Sequence, residues 1–186
     1  MDAPPYLTGQ YLLAMPGMGD PRFAQAVIVM AAHDEDGALG IGVGSLRGGL
    51  RLKDLLRQLK ISAPDCPDVP IHHGGPVEPG RGFVLHSTDW SGQDTVQISQ
   101  LCNLTGTLDI LKAIAHNEGP SKYVVSLGYA GWSEGQLDEE MTRHGWFAAP
   151  SDDSILFDTP TSDRWAAAYR SQGIDPALLV GQTGAA

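Results

Sequence analysis

Residues 128–137 read GYAGWSEGQL, and two folds compete for them. Gly131-Trp132-Ser133-Glu134-Gly135 fits G-x-S-x-G, the nucleophile elbow of a serine hydrolase. An apolar run, Tyr123 to Tyr129, reads as the preceding strand, and 134–144 reads as the following helix. Upstream, His73-Gly74-Gly75-Pro76 has the outline of an oxyanion loop. The rest of the triad is missing. An α/β-hydrolase places its acid and then its histidine after the serine, and the one later histidine is His144. On a continuous helix that residue lies about 16 Å from Ser133, out of reach. Pro76 also lacks the N–H that such a loop offers. The same residues make a helix start without remainder. Ser133 and Gln136 have capping-box spacing, Trp132 and Leu137 can staple, and Glu134 and Asp138 sit near the positive helix end. Gly145 suits the C-terminal cap. Ser133 therefore reads as a cap, and Ser133→Ala is expected to lose about 1 kcal/mol of stability.

Outward from that helix, strands and helices mix without regular alternation. Tyr11 to Met15 reads as a strand stopped by Pro16-Gly17, and Asp20-Pro21 starts a single turn through Phe23. Ala26 to Ala32 and Ala38 to Val43 form a hairpin about Asp34-Glu35-Asp36-Gly37. Gly40, Gly42 and Gly44 let another backbone come close. Leu52, Leu55, Leu56 and Leu59 recur at helical spacing over 51–60, and Leu108, Leu111, Ile114 and Ala115 do so over 107–117. Further strands are expected at 69–72, 82–87 and 95–99. A last helix is expected at 162–171, ended by Gly173, with a final turn from Asp175-Pro176. Hairpins among these elements favour a mixed sheet over a doubly wound parallel one. At 186 residues, with no repeat or linker, the chain suits one domain over 1–186, with room for a small subdomain.

The formal net charge is −10, and protonating all six histidines brings it only to −4. An acidic surface without a basic stripe repels phosphate backbones and anionic lipid, which argues against direct nucleic-acid binding. No stretch reaches the roughly 18 apolar residues of a membrane span. Cys66 and Cys102 form neither a CxxC nor a disulfide framework, which suits a reducing cytoplasm. Cys102 reads as buried packing, whereas Cys66, in a Pro/Asp loop, is open to exposure.

The candidate chemistry is sparse. His33-Asp34-Glu35-Asp36-Gly37 lacks the spacing of a calcium loop and reads as a solvated turn. His72 and His73 are adjacent, so on a strand they point to opposite faces and do not share a metal. His86, ending a strand, reads as a hydrogen-bonded structural histidine, or with Arg81 or His33 as the lining of a pocket. Arg22 and Arg81 are candidates to clamp an anion or pair with a carboxylate. Trp132, Trp146 and Phe147 flank the capped helix at both ends, as core or as a partner groove, and Gln136 in its first turn is a further candidate. No catalytic residue, metal set or cofactor motif is assigned.

Three blocks in order, AMPGMGDPRFAQAVIVMAAHDEDGALGIGV, HGGPVEPGRGFVLHS and LGYAGWSEGQLDEE, resemble the bacterial YqgE/AlgH family, and the likeness extends to Asp158, Trp165 and Gly173-Ile174-Asp175. The resemblance implies an α+β fold, with a mixed, strongly bent, partly barrel-like sheet surrounded by helices. It implies no known reaction. One branch of the family is described as a transcriptional regulator of alginate synthesis, without an established DNA-binding motif. Members often read GLVINRP where this chain has GIGVGSLRGG at 40–49. The expectation is a non-enzymatic cytoplasmic regulator acting indirectly, through a protein or small-molecule partner. The alternative is a small-molecule enzyme, a hydrolase for instance, with a pocket near 72–87.

Overall fold

The computed structural model describes residues 6–17, 23–143 and 145–178. Ten strands in these residues form one mixed, strongly curled half-barrel sheet, and the fold is α+β. They are β1 (Tyr11–Ala14), β2 (Val27–Asp34), β3 (Gly37–Gly42), β4 (Leu46–Arg51), β5 (Pro70–His73), β6 (Val77–His86), β7 (Val96–Gln97), β8 (Asn103–Thr105), β9 (Tyr123–Trp132) and β10 (Trp146–Ala149). The order along the sheet is β10-β1-β2-β3-β9-β6-β8-β7, with β4 paired to β5 and β5 to β9. All described pairings are antiparallel except that of β5 with β9.

The helices are α1 (Leu52–Gln58), α2 (Leu108–Ala115), α3 (Gln136–Thr142), α4 (Asp153–Phe157) and α5 (Arg164–Ser171), the last entered through a 3-10 turn at Thr161–Asp163. Alternation along the strands divides the interior into three clusters. Tyr11, Leu13, Val29, Ile41 and Leu85 face α4 and α5. Val84, Val125 and Ile71 face α1 and α2. Leu12, Ile28, Met30 and Trp132 face α3. Successive residues such as Val84 and Leu85 thus serve different layers. This explains why the central strands are apolar on both faces.

The hairpin of β2 and β3 turns where expected, with the Asp36 amide donating to Asp34 Oδ1 at 2.8 Å. Close approach at its glycines is also real: a Cβ on Gly42 would stand 2.6 Å from the His73 carbonyl oxygen. Both leucine-patterned helices form, but Leu59 and Leu108 are exposed rather than inward. Cys66 is buried, as is Cys102. The Pro/Asp loop folds Cys66 against Leu52, Leu56 and Ile114 instead of leaving it open. Strands β4, β8 and β10 were not anticipated, and Thr95–Ser99 contributes only the short β7. The Asp20-Pro21 turn and His144 lie outside the described residues.

Helix α3 begins two residues later than the capping box requires. Gly135, with φ +71°, is its N-cap. The Ser133 hydroxyl caps no amide and donates to Gln136 Oε1 at 3.2 Å, beside the Ser133 N–H at 3.0 Å. Half of the expected exchange survives, the half supplied by Gln136. Trp132 and Leu137 are both buried in the same cluster, as a staple demands.

Candidate functional site

Strand β9 carries two partners on one edge. Ala130 to Trp132 pair with β3, and Ser126 and Leu127 pair with β5. Between them the edge forks. The Gly42 amide crosses to the Gly74 carbonyl at 2.7 Å, the Gly74 amide reaches Leu127 at 2.8 Å, and the Ser126 hydroxyl donates to the Gly42 carbonyl at 3.1 Å. Glycine is dictated here by the crossing chains: a Cβ on Gly74 would overlap the Gly128 carbonyl oxygen. A cleft with about 400 Å³ of open space lies at the fork, walled by Phe23, Gln25, Gly44, Ser45, His73 and Ala130 among others. Ligands in open sheets favour places where strand pairing divides, because backbone groups there face a crevice.

His72 points the other way from His73, as strand alternation requires. It is buried against α5, where its Nδ1 lies 3.3 Å from the Val125 carbonyl and its Nε2 2.9 Å from Arg164 Nη1 and 2.8 Å from Thr161 Oγ1. A carbonyl only accepts and a guanidinium only donates, so Nδ1 carries the proton and Nε2 accepts. Burial, and then the Arg164 charge, lower His72 to about 4. Arg164 itself is lowered to about 10 by burial and stays charged at neutral pH.

His86 is enclosed and directional in the same way. Its Nδ1 faces the Ser87 carbonyl at 2.8 Å, so Nε2 accepts from Thr105 at 2.8 Å. Thr105 in turn accepts from Thr95 at 2.8 Å, and Thr95 accepts the Gly92 amide at 2.7 Å. This is the structural histidine that the sequence suggested, and burial lowers its pKa.

The candidate pocket residues do not converge. Arg81 lies exposed, 3.3 Å from Glu78 and over the Phe83 ring. Phe83 belongs to the α4–α5 layer, whereas His86 follows Val84 on the opposite face. His33 is buried near the end of β2, accepting the Leu7 amide at 3.0 Å, with Asp138 at 3.4 Å. The turn itself, Asp34 to Asp36, is exposed as its sequence implied, and only His33 is drawn inward. Arg22 lies outside the described residues. Residues 72–87 contribute to two separate clefts, His73 to Gly75 at the fork and Gly80 to Val84 in an apolar groove of about 470 Å³ with Leu55, Leu108 and Leu111. Trp132 and Trp146 do meet, edge to face at 6.2 Å, but both are buried as core. Gln136 is spent on Ser133.

Sequence reasoning missed Arg164 and Ser45. TSDRWAAAYR announces a helix, not a buried cation, and Ser45 sits in a glycine-rich run with no motif.

A family model described as AlgH-like matches residues 11–177. The chain belongs to the AlgH-like family. A UPF0301 protein of Novosphingobium aromaticivorans is 59% identical over 97% of each chain. One of Rhizorhabdus wittichii is 56% identical over the full length of both. The solution structure of AlgH from Pseudomonas aeruginosa superposes with a TM-score of 0.78 at 41% identity, covering 100% of this chain and 99% of that one. A crystal structure of a Corynebacterium diphtheriae protein, 20% identical, has a TM-score of 0.74 and covers 97% of this chain and 94% of that one, which marks the same fold. The resemblance read from the three sequence blocks thus holds across the AlgH-like domain. Among the described residues no helix is long and apolar enough to cross a membrane.

Proposed function

We propose that this AlgH-like chain is a non-catalytic regulatory protein of the cytoplasm, acting on transcription indirectly by holding a small molecule or a partner segment in the fork cleft. One observation carries the reading. The cleft is walled largely by main chain and small side chains, while the imidazoles of His33, His72 and His86 are committed to internal hydrogen bonds. Such a surface supports recognition by shape and backbone contact more readily than bond cleavage. The charge of −10 and two buried free thiols agree with indirect action in a reducing compartment.

The enzyme reading keeps one supporting feature, that His73 and Ser45 line the same cleft. Native mass spectrometry of protein gently isolated from its source cells separates the two. A retained adduct, lost on Ser45→Phe and not consumed on incubation, is the expected result. Turnover of the adduct that disappears with His73→Gln would replace the regulator with an enzyme.

A further inference from the structure

Arg164 is the first residue of α5 and is 5% exposed. A guanidinium carries five N–H groups. Both on Nη1 are engaged, by the Val43 carbonyl at 2.8 Å and by His72 Nε2 at 2.9 Å. The Nε–H is buried without an acceptor. No described residue accepts from Nη2, and none offers a carboxylate within ion-pair range. The neighbouring groups are already used. Thr161 and Arg164 both donate to His72, the Tyr11 hydroxyl donates to the Asp152 carbonyl at 2.5 Å, and Trp165 and Tyr169 both donate to the Ala14 carbonyl at 2.9 Å.

Three costs therefore fall on one side chain. A cation is largely out of water, its Nε–H is buried without an acceptor, and it stands at the end of a helix that shares its sign. An anion relieves all three together. The unpaired edge, Nε–H with Nη2–H, is the edge that grips two oxygens side by side. We propose that Arg164 anchors a binding site for a small carboxylate, held by that edge beneath the N-terminus of α5. A monoanion balances the single buried charge, whereas a phosphate dianion would leave one negative charge uncompensated. Thr161 and Trp165 are half-buried, so the site lies one side chain below the surface. Because strand β5 separates His72 from His73, this site is distinct from the fork cleft.

The test is an acetate titration of the full chain at constant ionic strength, with chloride as the balancing salt and inorganic phosphate as a second probe. In the wild type, acetate should shift the Arg164 Nε–H resonance saturably. It should also raise the melting temperature by roughly 3–6 °C at a tenfold excess over Kd. Arg164→Met should lose the acetate-specific rise. The site is overturned if acetate does no more than chloride in the wild type, or if the methionine variant keeps the full response. Tighter binding of phosphate than of acetate would overturn the carboxylate assignment. If Arg164→Met does not fold, the wild-type resonance titration decides alone.

Discussion

Arg164 Nη1 donates to His72 Nε2 across 2.9 Å, and burial together with that contact keeps the imidazole neutral. Folding therefore opposes protonation of His72. Above about pH 6.5 the ring is neutral in both folded and unfolded chains, and it contributes no pH dependence. Between there and about pH 4, the value to which burial and Arg164 lower it, the unfolded chain takes the proton and the folded chain does not. Stability falls with falling pH through that window, by roughly 3 kcal/mol in all. Urea unfolding at pH 7.5 and 5.0 should show the wild type losing about 2 kcal/mol more than His72→Gln. Equal losses would place the acid sensitivity elsewhere.

The chain Gly92–Thr95–Thr105–His86 has one direction, each hydroxyl accepting from one side and donating to the other. Thr105→Val keeps the volume and leaves His86 Nε2 buried without a donor. A loss of about 1–3 kcal/mol is expected. Thr95→Val, nearer the surface, should cost less. Chemical denaturation of both variants ranks them, and the reverse order would show that Thr105 does not anchor the chain.

At the start of α3, Gln136 and not Ser133 does the satisfying. Ser133→Ala removes only an exposed hydroxyl contact and should cost less than the ~1 kcal/mol of a true cap. Gln136→Ala strips the acceptor from the Ser133 amide and should cost more. Thermal melts of the two single variants check the ranking, and an equal or larger loss for Ser133→Ala would restore the hydroxyl as the cap.

Two glycines separate crowding from conformational freedom. Gly74→Ala drives a methyl into the Gly128 carbonyl at the fork, and little folded protein is expected. Gly48→Ala, on exposed β4, meets nothing within 4 Å and should be neutral or stabilising by up to about 1 kcal/mol. Soluble yield and melting temperature report both. A well-folded Gly74→Ala would show that the fork tolerates displacement of β5 from β9.

What local pattern encodes was readable. The β2–β3 hairpin announces itself by a β-rich run and an Asp/Gly turn, and α1 and α2 by leucine spacing. Strand β4 did not, because LRGGLR has no β-branched residue, and it is held by partners elsewhere. Arg47 donates to the Pro79 carbonyl and Arg51 to that of Asp68. Asn103–Thr105 is too short to show a period, and Trp146–Ala149 becomes a strand only by finding β1. Of the candidate site, the turn at His73-Gly74-Gly75 was visible, but its crossing with Gly42 and Gly128 joins three distant segments. The His72–Arg164 contact joins residues with no local signal at all.

The pairing of Tyr11 with Ala149 also sets a schedule for synthesis. The first strand leaves the ribosome with one edge matched by β2 and the other waiting for a partner that is still unmade. At about 5–20 residues per second, the roughly 140 intervening residues take about 7 to 28 seconds to appear. For that interval the nascent chain exposes the apolar edge YLLA, an open template for wrong pairings. Holding by chaperones early in translation, or slow codons placed after β10 rather than before it, would then govern yield more than the stability of the finished fold.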